Sequence, residues 1–175
     1  IEAFREAIHL DTNHADAYCC LGNAYKKKQM HEESLKSYRK SLEINPKHGQ
    51  AHYNLALLLE ANREYNLSIE HYHEALLILP SETQVKYGLA NTLRKVGNLV
   101  LAIEFYNLAI DGSPENPIYH NNLGTALQEI GRADEAFKKY QDSANLDPAY
   151  ADPKCNLGLA YHHKGQLDLA ETFFR

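Results

Sequence analysis

Four prolines set the frame of this chain: Pro46, Pro80, Pro114 and Pro148 follow one another at intervals of 34 residues. Leucines keep the same interval at Leu21, Leu55, Leu89, Leu123 and Leu157, and small residues keep it at Gly22, Ala56, Ala90, Gly124 and Gly158. Aromatics do so at Phe4, Tyr38, Tyr72, Tyr106, Tyr140 and Phe174. Four residue classes sharing one period signal a stacked repeat architecture, in which each unit buries its apolar faces only against its neighbours.

Each unit reads as two helices. In residues 117–150, Pro117 suits a helix start, where its missing N–H is no loss. Leu123, Ala126, Leu127 and Ile130 then recur at helical spacing. Gly131 breaks this helix and admits a turn conformation that other residues resist. Ala133, Ala136, Phe137, Tyr140 and Ala144 mark the second helix. Asp147-Pro148 closes it, because a residue before proline is pushed out of the helical region. Gly124 and Ala136 leave room for two backbones to approach, and Tyr140 fills space between hairpins. First helices are expected near 15–28, 49–62, 83–96, 117–130 and 151–164, with second helices between them and no strands.

The pattern Tyr18, Leu21, Gly22, Tyr25, Ser34, Tyr38, Ser41 and Pro46 resembles the tetratricopeptide repeat, and the resemblance covers nearly the whole chain. Residues 15–48, 49–82, 83–116 and 117–150 form four full units. Residues 1–14 resemble the second helix of a partial repeat, and 151–175 a truncated fifth. The resemblance implies an all-α, right-handed superhelical solenoid of antiparallel hairpins, with first helices lining a concave groove. Ser34, Ser41, Ser68 and Ser143 stand where the family usually has alanine, and Thr12 where it has proline; these departures are expected to leave the fold intact. Such a scaffold serves many partners, so it specifies no one function.

Counting along each unit, the sixth position holds Cys20, Asn54, Gly88, Asn122 and Asn156; the ninth holds Asn23, Leu57, Asn91, Thr125 and Leu159; the fifth holds Cys19, Tyr53, Tyr87, Asn121 and Cys155. The candidate partner-binding residues are Asn23, Tyr53, Asn54, Tyr87, Asn91, Asn121, Asn122 and Asn156. An asparagine amide both donates and accepts, so it can hold a peptide backbone whatever the peptide's side chains. The series resembles the asparagine ladder of O-linked N-acetylglucosamine transferase arrays, interrupted here by Cys20 and Gly88. The ninth position of one unit is expected to face the sixth of the next, placing Asn91 beside Asn122. The carboxylate clamp of chaperone-binding arrays is excluded. Its positions here hold Cys19, Asn23, Asn54, Gln84 and Gly88, with none of the cations that a terminal carboxylate requires.

The expected function is therefore a protein-interaction scaffold holding a partner peptide or protein segment in the groove. The alternatives are the substrate-recruiting arm of a larger enzyme, or a homo-oligomeric module stacking end to end through Phe173 and Phe174. No catalytic residue, cofactor or metal site is expected. His71 and His73 lie two apart on a helix and diverge, as do the adjacent His162 and His163. His31-Glu32-Glu33 lacks the second histidine of a zinc hydrolase motif. A net charge of −5 argues against nucleic acid and against anionic membranes as partners. Three cysteines without regular spacing make no disulfide framework and point to an intracellular, cytoplasmic setting.

Overall fold

The computed structural model describes residues 1–163 and 165–174, apart from the side chains of His163, Phe173 and Phe174. The expected burial of Phe173 and Phe174 therefore lies outside the described residues. Among the described residues the chain is all-α, with eleven helices and no strand. They are α1 (Glu2–Leu10), α2 (Ala15–Lys27), α3 (His31–Ile44), α4 (Gly49–Ala61), α5 (Tyr65–Ile78), α6 (Thr83–Lys95), α7 (Leu99–Gly112), α8 (Pro117–Glu129), α9 (Ala133–Leu146), α10 (Ala151–His163) and α11 (Leu167–Phe174). Two compact units divide within α6: Ile1–Thr92 and Leu93–Arg175. In the N-terminal unit α2 pairs with α3 and α4 with α5; in the C-terminal unit α8 pairs with α9 and α10 with α11.

Every hairpin turns on one left-handed residue. Gln29, Arg63, Gly97, Gly131 and Gly165 have φ of 60°, 64°, 82°, 81° and 74°. Their N–H groups, with those of the next residues, return to carbonyls of the helix just ended. Gly131 N reaches Gln128 O, and Arg132 N reaches Leu127 O. This pattern satisfies carbonyls that the helix end would otherwise leave bare. Three of the turns use glycine, for which positive φ is free of strain, whereas Gln29 and Arg63 hold the same geometry against a side-chain clash. The second helices end at extended residues ahead of proline, as at Asn45 and Asp147, whose φ values are −130° and −138°.

The periodic tyrosines fill the seams. Tyr38 lies over Gly22, and Tyr140 over Gly124, each within its own hairpin. In the hairpin α4–α5 the equivalent first-helix position is Ala56; Tyr72 donates to Glu60 of α4 at 3.1 Å and also packs against Gly88 of α6. A Cβ on Gly88 would fall 2.6 Å from the Tyr72 hydroxyl oxygen. Gly88, an apparent gap in the asparagine series, is thus the seat for a ring that is fully buried.

The serines that replace alanine are also structural. Ser34 Oγ donates to Gly22 O at 2.9 Å, and Ser68 Oγ to Ala56 O at 2.8 Å. Ser41 Oγ donates to Ala15 O at 2.8 Å, and Ser143 Oγ to Pro117 O at 2.7 Å. Each hydroxyl ties a second helix to the backbone of its first helix and leaves no buried oxygen unsatisfied.

Candidate functional site

In the C-terminal unit a chain of side-chain hydrogen bonds joins α8 to α10. Asn156 Nδ2 donates to Asn121 Oδ1 at 2.9 Å. Asn121 Nδ2 lies 3.4 Å from both Asn122 Oδ1 and the Tyr150 hydroxyl, which itself donates to Asp152 Oδ2 at 3.1 Å. Asn121 is 5% exposed, so its amide supports its neighbours and is not a contact surface. Asn122 and Asn156 are half-buried. An amide whose Nδ2 is engaged in this way keeps acceptor capacity at its Oδ1.

Beside Asn156 lies a notch of about 160 Å³ walled by Gln128, Tyr140, Leu159 and Ala160. Leu159 is 51% exposed at its rim, and Ile118 on α8 is 44% exposed. Such a surface offers a polar grip beside apolar area. The same register recurs in the N-terminal unit, where Phe4, Cys20, Asn23, Ala24 and Lys27 enclose about 200 Å³. The second-helix aromatic and the tenth residue of the unit, Ala160 or Ala24, were absent from the residues expected from sequence. The available signal was the small tenth residue; in the unit starting at residue 49 that position is Leu58, which is buried.

The expected groove residues differ in how far they are covered. Asn54 is 6% exposed, accepts from Gln50 Nε2 at 3.2 Å and directs Nδ2 to Cys19 Sγ at 3.8 Å. Cys19 and Asn121, both fifth-position residues, are buried where consecutive hairpins stack. The sixth position meets the preceding unit's fifth in Asn54–Cys19 and Asn156–Asn121. Asn23, a ninth-position residue, accepts from the Tyr38 hydroxyl of its own hairpin at 2.7 Å. The Tyr53 ring is half-buried, 6.2 Å from that of Tyr72 and inclined at 56°. Tyr87 and Asn91 are half-buried on α6.

The titratable groups serve the scaffold. Burial raises the Cys19 thiol to about 11, which keeps it protonated and poorly nucleophilic. Burial likewise raises the Tyr38 phenol to about 12. His14 and His48 each accept a helix N–H through Nδ1, from Ala17 and Ala51 at 3.3 Å, and so cap α2 and α4. Through Nε2, His52 meets Pro46 O at 3.0 Å and His120 meets Pro114 O at 2.8 Å. No group of three or more His, Cys, Asp and Glu that could hold a metal occurs among the described residues. Nor is any described helix long and apolar enough to cross a membrane.

The comparisons agree with this architecture. Among solved structures, the chain resembles "YrrB: a TPR protein with an unusual peptide-binding site" with a TM-score of 0.84 and 23% identity, over 98% of this chain and 88% of that one. It resembles MamA from Desulfovibrio magneticus RS-1 with a TM-score of 0.85 and 18% identity, over 91% of this chain and 90% of that one. For Pseudomonas aeruginosa pilF the TM-score is 0.82 and the identity 22%, over 91% of this chain and 73% of that one. No curated protein matches the sequence. Models described as tetratricopeptide repeat match residues 15–48, 37–70, 87–151 and 151–175. The chain belongs to the tetratricopeptide repeat family.

Proposed function

We propose that the chain is a non-catalytic interaction scaffold whose first helices hold an extended segment of a partner protein. The observation that carries this reading is the Asn121–Asn156 pair beside the notch walled by Gln128, Tyr140, Leu159 and Ala160. Packed helices lie roughly 8–10 Å apart. An extended peptide advances at most about 3.3–3.6 Å per residue. Amides on α8 and α10 would therefore meet the peptide backbone at about every third residue, and the notch would take a small side chain between them. The YrrB structure, whose title names a peptide-binding site in a protein of the same fold, is consistent with this use.

The test begins by selecting ligands from a displayed library of random peptides. A selected peptide is then titrated calorimetrically into the unaltered chain and two variants. Asn122→Ala with Asn156→Ala removes two grips of roughly 0.5–1.5 kcal/mol each. That predicts a loss of about one to two factors of ten in affinity. Leu159→Ala leaves the asparagine chain intact and should also weaken binding. Lys40→Ala on α3 should not, since Lys40 is exposed and pairs only with Glu43. Undiminished affinity in both the asparagine and the leucine variants would refute the proposed site.

A further inference from the structure

A second surface, unrelated to the asparagine chain, lies on the second helices of the C-terminal unit. On α7, Val100 is 66% exposed, Leu108 45% and Leu101 40%. At the same positions of their units, α3 has Glu32, Glu33 and Lys40; α5 has Asn66, Leu67 and Glu74; α9 has Asp134, Glu135 and Asp142. Only α7 makes all three outward positions apolar. At 3.6 residues per turn, Val100, Asp111, Glu104, Leu108 and Leu101 occupy one arc of about 100°. This helix therefore shows solvent an apolar stripe with two acids along its middle.

Beside that stripe, α7, α8 and α9 enclose a cleft of about 410 Å³. Its floor is Ile103, Leu123 and Leu127, all buried. Its rim on α9 carries charge. Arg132 Nε pairs with Glu135 at 2.6 Å and Lys139 with Asp142 at 3.1 Å, so both rim acids already have cations. Lys138 stands exposed between them. The cleft is thus an apolar slot with a net positive rim, and the adjoining stripe is apolar with negative charge. Two surfaces that complement each other sit side by side on one molecule. A two-fold axis would bring each onto the other's counterpart, as isologous interfaces require.

We propose that the outer face of α7 and α9 joins two copies of this chain. Val100 and Leu108 of one copy enter the cleft of the other, and Glu104 and Asp111 face the partner's Lys138, reciprocally. The proposal is independent of the peptide reading, because none of these residues belongs to the first-helix face. An exposed apolar stripe on a helix whose counterparts carry polar residues at most of the same positions is the kind of patch that marks an association surface.

Sedimentation velocity over a wide concentration range tests it. The unaltered chain should approach twice its single-chain mass, and Val100→Asp with Leu108→Asp should remain single at every concentration. That variant keeps its helices, since α9 already carries Asp134 and Asp142 at the equivalent positions; circular dichroism checks this. Lys138→Glu alone should weaken association, as should Glu104→Lys with Asp111→Lys. Mixing those two variants should restore it, because each then supplies the charge that the other lacks. A single-chain mass for the unaltered protein up to its solubility limit would overturn the proposal. So would unchanged association of the Val100 and Leu108 variant, or failure of the mixture to recover.

Discussion

Substituting Gly124 by alanine isolates the contact on which the α8–α9 hairpin closes. A Cβ at Gly124 would lie 2.6 Å from Tyr140 Cε1, 2.8 Å from Cδ1 and 3.2 Å from the Ala136 carbonyl oxygen. Two opposed effects follow. Alanine in a helix interior gains about 0.5–1 kcal/mol over glycine. Forcing a methyl into a filled seam costs about 1–3 kcal/mol. Tyr140 is 4% exposed and packed in the seam, so overpacking prevails and a net loss of about 1–2 kcal/mol is expected. For a chain of this size that lowers the melting temperature by about 2–8 °C. The decisive assay is a double-mutant cycle in chemical denaturation with Tyr140→Leu. In the leucine background the ring is gone, and Gly124→Ala should become neutral or stabilising. If Gly124→Ala stabilises equally in both backgrounds, the ring does not limit the seam and the reasoning is wrong.

Arg63→Gly should stabilise the N-terminal unit by about 0.5–1 kcal/mol, because relief of the left-handed strain at φ 64° exceeds glycine's greater chain entropy. A lower denaturation midpoint in this variant would contradict that balance. Acid should weaken the same unit through His71. His52 gives its Nε2 proton to Pro46 O and presents Nδ1, 3.0 Å away, to His71 Nδ1. Burial first, then His52, holds His71 below the ordinary histidine value, with Arg39 adding to the depression and Glu70 and Glu74 opposing it. The unfolded chain then binds the proton more readily than the folded one. The stability contribution is therefore complete above the ordinary histidine pKa of about 6.5 and declines as pH falls below it. Melting temperature should drop between about pH 7.5 and about pH 5.5, and drop less in His71→Gln; an equal drop in both would exclude His71 as the cause.

The architecture was legible because the period is repeated in residues that only one geometry satisfies. The first helices begin at residues 15, 49, 83, 117 and 151, where the register places them. Glycine at 131 announced its turn, yet Gln29 and Arg63 adopt the same φ without any glycine to announce it. The site was less legible. Register gives the angle at which a side chain leaves its helix, but not how far the next hairpin covers it. Asn54 and Asn156 share a position; one is buried against Cys19 while the other flanks an open notch. Gly88 looked like a missing asparagine because its reason for being small, the Tyr72 ring, comes from the preceding hairpin. The apolar face of α7 could be read only by comparing outward positions across units.

The Tyr72 ring also bears on how the array comes apart. A repeat array has two stores of stability, one within each hairpin and one at the joints between consecutive hairpins. Tyr38 contributes to both stores, lying over Gly22 of its own hairpin and clustering with Ala51 and Leu55 of α4. Tyr72 also contributes to both, donating to Glu60 on α4 and packing against Gly88 on α6. One buried ring thus ties the hairpin α4–α5 to α6, and the two should open together. Hydrogen exchange should show the amides of α4, α5 and the first turns of α6 sharing one opening free energy, a local block of cooperativity held together by one ring.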